Sequence, residues 1–448
     1  MKILQSVTAV LTLIMLFTAC AKDYRSAISA PEEKFYRGQE YEAAKMLLPY
    51  INKAGKDQLL FMMEAGYLLH MAGKYEDSNK VLLQAAKIAQ VKPISVSREV
   101  GALLTNQTVT NYRGEDFEKV LVHMYLGMNY LILKNYEEAA VEFKAVNNEL
   151  NKIKTEKGTA RYKQNIMAKY LAAIAHELRA GMTGSEEDRE YAGVEYKQIL
   201  KLRPDLQMAR TDLMQLQASK NSTLGELVVI FQAGRSPIKV SRGRLLEDPG
   251  MNVAVATALG MQSLAAGVTA GAIMTAIGVA DNPIPKFKIR ENKIKCLRVY
   301  VMGQQATTEM LENIEYTAMK NMEDDYDRLR GKVAASIIVK AIASIAAGIA
   351  AKETTRKLSK NDKGLSSLIG LLVGAGTGAV LFATIKPDLR CWHTLPANLQ
   401  LARMRLAPGK YTATVQSIGY NGAVQNTKQL NFEVKKKEKY FINIRTVE

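Results

Sequence analysis

The sequence predicts an α+β multidomain chain: an amino-terminal solenoid of paired helices, then a small β-sandwich-like domain with an inserted Ala/Gly-rich helical hairpin. Three observations lead there. Between residues 28 and 217, apolar residues recur at i, i+3, i+4 and i+7, which lays one apolar stripe along each helix. After Ser222 the period changes to the alternation of half-buried strands. Between those strands lie long runs of Ala, Gly and Ser almost free of charge. A length of 448 residues suits two or three such domains.

The chain begins MKILQSVTAVLTLIMLFTAC. Lys2 gives a positive start, Val7 to Phe17 is an apolar run too short to span a bilayer comfortably, and the small residues Thr18 and Ala19 precede Cys20. This resembles the lipobox of bacterial lipoproteins, although Phe17 stands where that pattern favours Leu. The resemblance implies a signal peptide over 1–19, an acylated Cys20 and a lipidated linker over 20–27. Ala21 follows, where Asp would usually mark inner-membrane retention in Gram-negative relatives, so the implied address is the outer membrane, facing the periplasm. The net charge of +17 favours anionic surfaces, and export removes nucleic acid from the expected partners.

Two copies of one pattern stand out in the helical stretch, expected over 28–217. In LVHMYLGMNYLILKNYEEAAVEFKAV, Gly127 sits where two helices cross, Tyr130 and Tyr136 flank the turn, and Ala139, Phe143 and Val146 face back. In MEAGYLLHMAGKYEDSNKVLLQAA, Gly66, Gly73, Tyr75, Ser78, Leu82 and Ala85 fall in the same register. The spacing resembles the tetratricopeptide repeat, and partial copies lie near Tyr41 and Tyr196. One copy cannot bury its stripe alone, so several must stack. The resemblance implies a concave groove that binds protein partners. The segment 181–188, GMTGSEED, reads as an insertion in the last copy's turn.

The carboxyl half divides into a first part over 222–302, a helical insertion over 303–386 and closing strands over 387–448. Strands are expected at 225–234, 294–302, 400–417, 429–434 and 439–447, with KKKEK at 435–439 as a hairpin tip. Three apolar stretches interrupt them: 251–280, 333–351 with Lys340, and 364–385. Gly267 and Gly271, and Gly370, Gly374 and Gly378, recur every four residues, as in close helix contacts. A packed hairpin is the favoured reading. Oligomeric insertion into a membrane is the alternative, although Lys340 near a bilayer centre costs about 2.5–3.5 kcal/mol.

Cys296 and Cys391 are left either to pair or to sit as small buried residues. No metal-ligand spacing, phosphate loop or paired-carboxylate motif appears. The expectation is a non-enzyme without cofactor or metal. His70, His123 and His176 are assigned no ligand role.

The run PDLRCWHTLPANLQLARMRLAPGKY resembles a signature of a bacterial lipoprotein family with amino-terminal tetratricopeptide repeats and no established activity. Asp388, Arg390, Trp392, Leu395 and Pro396 stand at its Asp-x-Arg-x-Trp-x-x-Leu-Pro positions. Asp388 and Arg390 are expected to pair and pin the hinge between insertion and sheet, with Trp392 plugging the junction. The chain is therefore expected to be a lipid-anchored periplasmic scaffold that binds partners through its array. The alternative is an oligomeric component of an envelope secretion or transport system, built on the Gly/Ala helices.

Overall fold

Glycines set the spacing of the amino-terminal helices in the computed structural model, which describes residues 24–447 except 90–99, 102, 105–109, 154–163, 219–222, 263–267, 359–381 and 383–384. The helices are α1 (Tyr24–Tyr36), α2 (Glu40–Ile51), α3 (Gln58–Met71), α4 (Tyr75–Ile88), α5 (Asp116–Ile132), α6 (Tyr136–Lys152), α7 (Ile166–Thr183), α8 (Glu186–Leu202) and α9 (Gln207–Ala218). Each packs mainly on its sequence neighbours. A Cβ on Gly66 would lie 2.4 Å from Leu82 of α4, and one on Gly127 would lie 2.6 Å from Phe143 of α6. Only glycine admits these crossings without a shift. Gly73 and Gly184, at φ +71, end α3 and α7 in the left-handed region. Asn135, Asn165 and Ser185 cap the following helices, and Glu115 forms a capping box with Glu118.

Helices α3, α5 and α7 are buried on nearly every side, whereas α4, α6 and α8 bury one stripe. What covers the first set is a sheet. Strands β1 (Gly225–Ala233), β6 (Glu309–Asn313), β7 (Asn398–Leu406) and β10 (Lys439–Arg445) form it in the order β10-β1-β7-β6. Strand β1 pairs parallel to β10 and antiparallel to β7. Its residues are buried on both faces: Val228 and Ile230 join the helical core, while Leu227, Val229 and Phe231 join a second core. That explains its near-continuous apolar sequence.

The second core is closed by another sheet, β5-β4-β8-β9, made of β4 (Ile294–Val301), β5 (Gln304–Thr307), β8 (Gly409–Gly419) and β9 (Val424–Val434). Leu297, Val299, Ala413, Val415, Phe432 and Val434 face the first sheet's Ala402, Met404 and Leu406. Strands β2 (Ile238–Val240) and β3 (Lys286–Lys288) form a separate pair. The chain is thus mixed α+β, with a helical amino-terminal region and a carboxyl-terminal sheet region.

Helices α10 (Pro249–Met261), α11 (Ala270–Ile277) and α12 (Ile314–Leu358) complete the structure. Asp248 caps α10 and also accepts the Tyr326 hydroxyl of α12, joining the two. The 45 residues of α12 give a rod about 67 Å long.

Several expectations need correction. The helical insertion begins at Ile314 rather than 303, because 304–313 supply β5 and β6, two short edge strands. KKKEK is not a hairpin tip: β9 and β10 belong to different sheets, so 435–438 carry the chain across the sandwich. The 400–417 strand divides at Ala407-Pro408, and its halves join opposite sheets. The segment 181–188 is no insertion, since 181–183 end α7 and 186–188 begin α8. The uncharged run 251–280 is divided between α10 and α11. Of the two alternatives left open for the cysteines, the unpaired one holds: Cys391 is buried and Cys296 partly exposed, both as free thiols. The expected signal peptide, Cys20, Gly267 and the Gly370–Gly374–Gly378 series lie outside the described residues, as does most of 364–385.

Candidate functional site

Residues 385–397, between α12 and β7, run as an irregular buried strip across the array's inner helices. Each of α3 and α5 carries a fully buried glutamate, Glu64 within an apolar run and Glu118 in a first turn beside Asp116 and Lys119, and each carboxylate reaches this strip. Glu64 Oε1 accepts the His393 amide N–H at 2.6 Å and the Tyr24 hydroxyl at 2.6 Å; its Oε2 accepts the Thr394 hydroxyl at 2.5 Å and the Thr394 N–H at 3.3 Å. Glu118 Oε1 accepts the Trp392 N–H at 2.6 Å, and its Oε2 accepts the Tyr112 hydroxyl at 2.5 Å. Buried carboxylates bonded in this way favour one path for the strip, because a slip would cost Glu64 its His393 and Thr394 donors and Glu118 the Trp392 N–H.

Side chains of the strip are held equally closely. Trp392, 1% exposed, stands edge-on to Tyr67 with ring centroids 6.3 Å apart, and 5.9 Å from Tyr125. Tyr67 and Tyr125 both donate to Gln232 of β1, at 3.1 Å each. Arg390 pairs with Asp388 and with Asp57, each at 2.7 Å, and donates to the Thr110 carbonyl. The Asp388–Arg390 pair therefore reaches into the helical array through Asp57; it does not pin a hinge between insertion and sheet. Arg290 bonds Glu32 at 2.8 Å and the His393 carbonyl, and His393 Nδ1 lies 3.3 Å from Glu32.

Burial and pairing shift these groups in opposite directions. Burial would raise Glu32, but His393, Arg290 and the Tyr36 hydroxyl bring it down to about 2. Burial would depress His393, but the adjoining Cys391 sulfur and Glu32 push it up to about 10. Burial, with Glu115 nearby, lifts Glu118 to about 7 despite Lys239, Tyr112 and the Trp392 N–H. Glu64 is also raised, chiefly by burial. Burial holds His70 down to about 4, leaving it neutral. Its Nδ1 then donates to Asn129 at 2.6 Å while Nε2 accepts from Asn443 of β10 at 2.8 Å.

A second contact lies further along the same seam. The side chain of Arg403 of β7 is 3% exposed and pairs with Glu177 of α7 at 2.7 Å, Asp212 of α9 at 2.9 Å and Glu226 of β1 at 2.6 Å. Lys439 of β10 bonds Glu177 and Glu226 as well.

The remaining residues singled out in the sequence lie in helix packing. Tyr75 opens α4 against His70, with ring centroids 5.7 Å apart; Tyr136 opens α6; Ala139 is fully buried; Tyr130 is half-buried beside the main core. The pattern did not point to Glu64, Glu118, Glu32, Asp57 or Arg403. A lone glutamate inside LLFMMEAGYLL was a usable signal, since charge in an all-apolar helix needs a partner. The arrangement is that of a peptide clamp filled by the chain's own strip. Among the described residues no group of three or more His, Cys, Asp or Glu side chains is disposed to hold a metal ion.

Compared with known proteins, the chain matches no family model, no curated protein and no solved structure.

Proposed function

We propose that this chain is a non-enzymatic scaffold of the bacterial cell envelope, tethered through an acylated Cys20 to the outer membrane and facing the periplasm. In this reading the helices are a tetratricopeptide-type array. Support comes from the same glycine-against-side-chain crossing at Gly66/Leu82 and Gly127/Phe143, one in each of two helix pairs. The observation that carries the reading is the clamp itself: inner-helix carboxylates and tyrosines grip an irregular strip of the chain, in the place where an array of this type takes a peptide. Here the occupant is residues 388–394, so the array presents the β region rigidly and leaves partners to the surfaces outside the groove.

A second reading, an oligomeric envelope component using the Gly/Ala helices, is favoured by α12. Its most apolar 18-residue window has mean hydropathy 2.1 and is only 33% buried. Metabolic labelling with a palmitate analogue tests the anchor: wild type should incorporate label and Cys20→Ser should not. Alkaline carbonate extraction of the Cys20→Ser protein then separates the readings. Release into the soluble fraction supports the scaffold, and retention in the membrane supports insertion of α12. Cross-linking in detergent-solubilised envelopes should return protein partners for wild type and fewer for Cys20→Ser; identical partner sets would sink the tethered-scaffold proposal.

A further inference from the structure

A cavity of about 400 Å³ opens where α12 leaves β6, within the size range of small-ligand pockets, about 300–1,000 Å³. Its floor is apolar and buried: Phe117, Val120 and Leu121 of α5, Leu150 of α6 and Ile314 of α12. Most of the polar groups on its walls are already engaged. Asn165 caps α7, Asn313 accepts the Tyr316 N–H at 2.9 Å, and Lys320 pairs with Asp324 at 3.3 Å on the exposed rim.

Glu312 is the exception. Its carboxylate lines the cavity and accepts one long hydrogen bond, from the Thr317 hydroxyl at 3.4 Å. Elsewhere in the described seam, Glu32, Glu177, Glu226 and Asp388 each face an Arg or Lys. Among the described residues Glu312 pairs with no Arg or Lys, and burial accordingly pushes it up to about 7. An unpaired carboxylate against an apolar floor stands out in a chain with seventeen excess positive charges.

We propose that this cavity binds a small alkylammonium ion, its charged head on Glu312 and its aliphatic body over Phe117, Val120 and Leu121. Charge complementarity selects a cation, and the floor selects a carbon chain over a hydrated metal ion or a polar polyol. The proposal goes beyond the scaffold reading and stands independently of the anchor.

Isothermal titration of the full chain in detergent, with n-hexylamine hydrochloride, 1-hexanol and sodium hexanoate as probes, tests it. Wild type should bind hexylammonium at least tenfold more tightly than hexanol and should not bind hexanoate. Glu312→Gln should bring hexylammonium down to the hexanol level. Val120→Trp, which fills the floor, should abolish both; a thermal melt checks that it folds, and Ile166→Trp is the substitute should it not. Equal affinity for all three probes would overturn the proposal. So would unchanged hexylammonium binding by Glu312→Gln, or no heat from wild type at millimolar probe.

Discussion

At one end of the seam, Glu64 and Glu118 accept the N–H groups of the 388–394 strip; at the other, Glu177, Asp212 and Glu226 surround the guanidinium of Arg403. The helices supply carboxylates in both places, yet the consequences differ. Backbone N–H groups carry no full charge, so burial wins and the clamp carboxylates are raised. Around Arg403, burial also works upward, but the guanidinium and Lys439 hold Glu177 and Glu226 below their usual range, and Asp212 alone is raised. The first contact specifies a path for the chain. The second fastens two layers by charge, and its value depends on no partner being lost.

The largest break should come from Arg403→Met. It leaves three buried carboxylates to Lys439 and Arg405, and should cost about 3–5 kcal/mol in urea unfolding. Full retention of stability would mean that the pairs only offset their own desolvation.

The Glu32–His393 pair should give the next largest effect. Glu32, lowered, contributes above its ordinary value of 4.5 and loses that contribution as pH falls towards 2. His393, raised, contributes fully below 6.5 and loses that contribution as pH rises towards 10. The pair is therefore at full strength between about pH 4.5 and 6.5. His393→Gln should lose about 2–3 kcal/mol in that window and flatten the alkaline limb of stability against pH. A parallel shift at every pH would count against the pair.

Gly127→Ala should cost about 1–3 kcal/mol, because its new methyl meets Phe143. Adding Phe143→Leu should recover part of that loss, a coupling that a double-mutant cycle measures. Strict additivity would place the strain elsewhere. The smallest effect should come from Trp392→Phe, about 1 kcal/mol, because the buried indole Nε1 has no hydrogen-bond partner to lose among the described residues. A much larger loss would assign the ring a polar role.

The helix crossings and the alternation of β8 were legible because one glycine or one period of two marks a local geometry. The occupant of the inner helices was not. An apolar stripe reports that a face is buried without saying against what, and here the cover is a sheet and a strip from more than a hundred residues away. Lys435 to Lys437 carry the charge of an exposed tip, and nothing local distinguishes a hairpin from a crossing between sheets. Residues 304–313 were assigned to the insertion because edge strands facing solvent lose the alternation that identifies a strand. The Asp388–Arg390 pair was readable as a pair, but Asp57, its third member, lies in the other half of the chain.

The parallel pairing of β1 with β10 has a kinetic consequence. During synthesis β1 emerges as a bare apolar ribbon, sticky on both faces, and its neighbour along that edge follows roughly two hundred residues later. Through that interval the nascent ribbon is a target for chaperones and for misassociation. Trimming residues 439–445 would prolong the exposure indefinitely, so yield on expression should suffer before any binding property does.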